Sequence, residues 1–151
     1  MSAKTVSVKS ASSPSRSARG RSTSAGADQR RPLNLCLVRG ECSAAPELRV
    51  LPSGTRLAVL SVRVRSAGAP ATSVPVAMWD PPARVEDLEA GAEVVVLGRV
   101  VRRFFRSAAG GPGSRVEVQA ELVVPAGDGR KLTQALRRAE RVLDELVGEG
   151  G

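Results

Sequence analysis

The sequence predicts an all-β fold: a small five-stranded barrel, with a short helix between the third and fourth strands and a further helix at the C-terminus. Three observations carry this expectation. From Thr55 to Ser66, Ala58, Leu60, Val62 and Val64 alternate with Ser61, Arg63 and Arg65, the period of two of a strand with one face in a core and one in water. Residues 94–106 form a β-branched run broken by Gly98, as a curved barrel strand requires. A glycine-rich loop at 108–113 then leads into Arg115–Val124, where Val116, Val118 and Ala120 alternate with Glu117, Gln119 and Glu121.

Taken in order, residues 1–31 are rich in Ser, Arg, Ala and Gly, too poor in apolar residues to build a core, and read as a disordered basic tail. The tail either recruits a polyanion or is a solvated leader, including residues added by an upstream start codon. The barrel domain is expected over residues 32–125. Leu33 to Gly40 reads as its first strand, with Gly40 supplying a bend or bulge. Leu48, Val50 and Leu51 end one arm of a hairpin, Pro52-Ser53-Gly54 turns it, and the long alternating strand follows. Val74 to Trp79 forms the next strand, with Pro75 near a strand start or edge. Asp80 is expected to cap a helix over Ala83–Leu88, with Glu86, Asp87 and Glu89 toward water. Residues 126–151 hold a linker and an amphipathic helix over Lys131–Val147, with Asp128 as its cap and one stripe of Leu132, Leu136, Ala139, Leu143 and Leu146. That helix packs on its own barrel or serves as an oligomerisation helix.

Charge divides the chain. The 151 residues carry a net charge of +8, and residues 1–31 contain seven Lys and Arg against one acid, Asp28, leaving sixteen against fourteen in the rest. A basic tail on a nearly neutral domain points to a polyanion partner, nucleic acid first. Histidine is absent, which removes the commonest general base and metal ligand. Cys36 and Cys42 have no second pair to complete a zinc site, and no phosphate-binding glycine loop or nucleophile elbow is present. The expectation is a protein that is not an enzyme, with no cofactor, no metal, no small-molecule substrate and no membrane-spanning or secretory segment.

For nucleic acid, the candidates are the few aromatics and the arginines on strands. Trp79, Phe104 and Phe105 are the only aromatic residues. Alternation puts Phe104 and Phe105 on opposite faces, and Trp79 reads either as a base-stacking residue or as a core or subunit-interface residue. Arg49, Arg63, Arg65, Arg99, Arg102, Arg103, Arg106 and Arg115 are the candidates for phosphate contact or guanidinium stacking, about half of them being expected to touch the ligand.

Pro46-Glu47-Leu48-Arg49, followed by Pro52-Ser53-Gly54 and a long alternating strand, resembles the first hairpin of the bacterial single-stranded DNA-binding protein (SSB) family. Other segments follow in the family's order. Leu37-Val38-Arg39-Gly40 precedes the hairpin. A strand closes on an aromatic, Trp79. Val96-Leu97-Gly98-Arg99-Val100 is followed by Arg102, Arg103 and Phe105, which falls where the family has a base-stacking tryptophan. Two departures stand out: Ser73 occupies the place of the family's strand-opening tryptophan, and the chain shows no acidic, hydrophobic C-terminal tip. The resemblance implies an OB-fold that binds single-stranded DNA without sequence preference in replication, recombination or repair. It implies a homotetramer, or a dimer, in the cytoplasm and nucleoid. It assigns Phe105 to the nucleic-acid face and leaves Phe104 buried. The alternative is an SSB-like structural or protein-interaction subunit that touches nucleic acid mainly through its tail.

Overall fold

The computed structural model describes residues 32–148, which lie within the unit Arg31–Gly151; the expectations for the tail at 1–31 and for 149–151 fall outside the described residues. The chain is mostly β. Its elements are β1 (Cys36–Cys42), β2 (Glu47–Val50), β3 (Arg56–Val64), β4 (Thr72–Trp79), α1 (Ala83–Glu86), β5 (Glu93–Arg106), β6 (Pro112–Pro125) and α2 (Gly129–Val147). The strands make one mixed sheet in the order β1-β5-β6-β4-β3-β2, and an additional β1–β3 pairing turns it into a ring with β2 attached to the side of β3. Only β4 and β6 run parallel.

There are thus six strands where five were expected. The first strand starts later than Leu33 for a local reason. The Asn34 side-chain amide donates to the Val100 carbonyl and accepts from the Val100 N–H, both at 2.8 Å. A side chain stands in for backbone pairing there, so the ladder with β5 begins only at Cys36. At its other end β1 passes from β5 to β3. Gly40 sits at that crossing, where an added Cβ would strike the Arg63 carbonyl oxygen and come within 2.8 Å of Val62 Cγ1. The glycine expected to give a bend instead permits two strands to touch.

The hairpin forms as expected. Leu51 N–H donates to Thr55 O at 2.9 Å, and Gly54 sits at φ 84. On β3, Ala58, Leu60 and Val62 are buried and join Val76, Met78, Val94, Val96, Val118, Ala120 and Val123 in the core within the ring. At Leu97/Gly98 the β5–β6 register shifts by a bulge, and the loop between them shrinks to a tight turn at Gly110 because β6 begins at Pro112 rather than Arg115.

Between β4 and β5 lies α1, shorter than expected. Asp80 does not cap it: the N-cap is Pro82, with no side-chain hydrogen bond. Asp80 takes φ 47 and its N–H donates to Arg56 O at 2.8 Å, so it extends the β3–β4 ladder into a turn. Glu86, expected in water, pairs with Arg56 and is only 18% exposed. Val85 and Leu88 from this segment enter the core.

Asp128 does cap α2, accepting from Lys131 N–H at 3.2 Å. The buried line of α2 is Ala135 and Ala139; small side chains let the helix lie close against β5 and β6. The expected stripe is rotated accordingly. Leu132 and Leu146 are half-buried, and Leu136 and Leu143 are exposed. Replacing Asp128 with alanine is expected to cost about 1 kcal/mol, read as a lower urea midpoint; an unchanged midpoint would remove the cap from the stability of α2. Among the described residues, no helix is long and apolar enough to cross a membrane.

Candidate nucleic-acid interface

Register alone assembles the outer face of the sheet, since cross-strand partners share a face. One row crosses five strands: Glu47 on β2, Val59 on β3, Ala77 on β4, Gln119 on β6 and Arg99 on β5. The next row is Arg49, Leu57 and Trp79. Period two then places Glu117, Arg115, Arg103 and Phe105 on this same face, because β5 and β6 stay in step from Gly98 to Arg106. Six of the ten candidate residues therefore meet on one surface: Arg49, Trp79, Arg99, Arg103, Phe105 and Arg115.

Trp79 is half-buried, and the Arg103 guanidinium carbon lies 5.6 Å from its ring centroid. Arg103 Nε donates to Glu117 at 2.6 Å, and Arg115 Nε donates to the other Glu117 oxygen at 3.2 Å. Glu117 is 1% exposed, the one buried charged residue among those described. A carboxylate so far from water needs both guanidiniums: a buried ion pair that loses one partner is destabilised by about 3–5 kcal/mol. Beside it, Arg49 Nε donates to Glu47 at 2.8 Å. That hydrogen bond, the Arg49 charge and the nearby Arg115 charge hold the Glu47 carboxyl below its ordinary range. Three of the expected basic residues are thus interleaved with two glutamates. Arg99 donates to Gln119 Oε1 at 3.3 Å.

Phe105 lies across β6: a Cβ on Gly113 would come within 2.7 Å of its ring. It remains 44% exposed. Phe104 is not buried, contrary to expectation; it is 76% exposed. Alternation points it to the inward side, but the β5–β6 arm has already run past the ring of strands there, as exposed Val100 and Val116 on the same side show. Arg102 and Arg106 share this back face of the arm, Arg102 donating to Ser114 Oγ at 3.2 Å. Arg63 continues the outer face of β3 beyond Val59 and Ser61, and at that far end of the strand it lines an open cleft with Arg65, Arg39, Glu41, Glu93, Gly40 and Gly91. There Arg65 pairs with Glu41 at 3.2 Å and Arg39 with Glu93 at 2.8 Å. Arg63 stands opposite Ser73 on β4.

Sequence reasoning missed Glu47 and Glu117. The signal was present: Glu47/Arg49 and Arg115/Glu117 are two residues apart on strands, hence side by side on one face. Both thiols, Cys36 and Cys42, are free, and burial pushes each up from its ordinary range. Compared with known proteins, the chain finds no matching family model and no matching curated protein.

Proposed function

We propose that this chain is a non-catalytic binder of single-stranded DNA, built on an OB-fold and related to the SSB family, that holds the strand on the outer face of β2, β3, β4 and the β5–β6 arm. The observation that carries the reading is the convergence of Trp79, Phe105, Arg49, Arg99, Arg103 and Arg115 on one face by register. Aromatic rings and guanidiniums on a sheet surface suit unpaired bases, whose π-faces stack without regard to sequence at about 1–3 kcal/mol per base. The fold assignment is supported by the ring order, by the parallel β4–β6 pairing that closes it and by α1 between β4 and β5, an arrangement that an OB barrel would share. Assembly as a homo-oligomer belongs to the same reading.

The interleaved glutamates favour a second reading, an SSB-like interaction subunit that meets nucleic acid mainly through its basic tail. One titration separates them. Full-length protein and a 32–151 fragment are each titrated with labelled oligo(dT), oligo(U) and duplex at two salt concentrations. The first reading expects the fragment to keep its affinity for oligo(dT) and to prefer it to duplex. Near-complete loss of binding on deletion of the tail selects the second, and equal affinity for duplex and single strands rejects the first and leaves the nucleic-acid contact to the tail.

A further inference from the structure

Arg103 combines three features, of which Arg115 shares the tie to Glu117 but not the aromatic ring. Its guanidinium carbon lies over the Trp79 ring, 5.6 Å from the centroid. Its Nε is tied to Glu117 at 2.6 Å. Its side chain is still 33% exposed while Glu117 is 1% exposed. Arg103 and Arg115 share one buried carboxylate, so the trio keeps one net positive charge rather than two, and Arg103, with the shorter contact, has less charge to offer a phosphate than an unpaired arginine. What it still presents is a flat, weakly hydrated surface in a fixed place, which is a stacking platform for a base. It also occupies ring surface of Trp79 that a base would otherwise take.

Resting on the single-strand reading above, we infer that Arg103 is itself a base-stacking residue: the nucleobase lies on the guanidinium, the guanidinium on Trp79, and Glu117 is the positioning residue that locks the middle layer. The ligand class is any unpaired nucleobase, since the contact uses a π-face rather than a base edge. Arg115, sharing Glu117, completes the lock from the other strand.

The test uses the full chain and dye-labelled oligo(dT), read by anisotropy across a salt series. Arg103→Lys keeps the charge and removes the plane. It is expected to weaken binding by about 5- to 150-fold, the range of a lost base stack, with the slope of log affinity against log salt unchanged. Glu117→Gln, which unlocks the guanidinium and restores its net charge, is expected to weaken binding while steepening that slope by about 0.7, one phosphate on a single strand. Binding of oligo(dT) by Arg103→Lys as tightly as by the wild type overturns the inference and leaves the single-strand reading standing. Should either variant fail to fold, the wild type alone decides. Little change in Trp79 emission at saturating oligo(dT) is expected, because the arginine separates base from indole. Strong quenching, from a base directly on the ring, overturns the inference. Failure of the wild type to bind oligo(dT) in preference to duplex overturns the single-strand reading and this inference together.

Discussion

The Gly98→Ala substitution is expected to lower the urea midpoint of unfolding by about 1–2 M. A Cβ at position 98 would strike the Gln119 carbonyl oxygen and lie 2.9 Å from both the Ala120 Cα and the Gln119 carbonyl carbon. All three are backbone atoms of β6, so no side chain can rotate away; the β5–β6 ladder itself must open at its bulge. Overpacking of this kind costs up to about 3 kcal/mol. Against it stands the gain of about 0.4–1 kcal/mol that alanine brings by restricting the unfolded chain. The steric term wins, leaving up to about 2–2.6 kcal/mol out of a stability of roughly 5–15 kcal/mol, and a urea slope of about 1–3 kcal/mol per molar converts this to the stated shift. Gly127→Ala is the control. It has open space around its Cβ and should leave the midpoint unchanged or slightly raised. A Gly98→Ala midpoint equal to the wild type would mean that the two strands part there at no cost.

That glycine was visible in the sequence as an interruption, because a β-branched run seldom carries one without a geometric reason. The same holds for the hairpin and for the core face of β3, where Ala58, Leu60 and Val62 are buried as alternation demands. Alternation reports the side a residue points to, and it failed wherever burial depended on what lies across from that side. Phe104 points inward on a strand that has run past the ring of strands, so it is exposed. Glu117 points outward and is buried, because Arg103 and Arg115 fold over it. The Asn34 clip on Val100 depends on a tertiary partner 66 residues away, and the end of β1 on bonds from Cys42 to Ala92 and from Ser43 to Ser61, beyond the reach of any local pattern. The six interface residues were all named from the sequence. The register separated them from Arg102 and Arg106, while Arg63 shares their face and is set apart only by its place at the far end of β3, in the cleft with Arg65.

The Trp79→Ala substitution is expected to weaken oligo(dT) binding by about 5- to 150-fold, the equivalent of about 1–3 kcal/mol for one stacked base. Trp79 is the chain's one tryptophan, and it ends β4 in the outer-face row of Arg49 and Leu57. Its loss removes the support beneath the Arg103 guanidinium, so whether a base rests on the ring or on the arginine, the platform collapses. Trp79→Phe retains an aromatic surface and should recover much of the affinity. The loss must be separated from destabilisation, since Trp79 pairs in register with buried Leu57. Circular dichroism and a urea midpoint on the same sample do this, with binding measured well below the unfolding transition. The residual affinity of Trp79→Ala should be carried by charge and so fall steeply with salt. A folded Trp79→Ala protein that binds oligo(dT) as tightly as the wild type would return Trp79 to a core or subunit-interface role, and would leave Phe105 as the one aromatic on the face available for stacking.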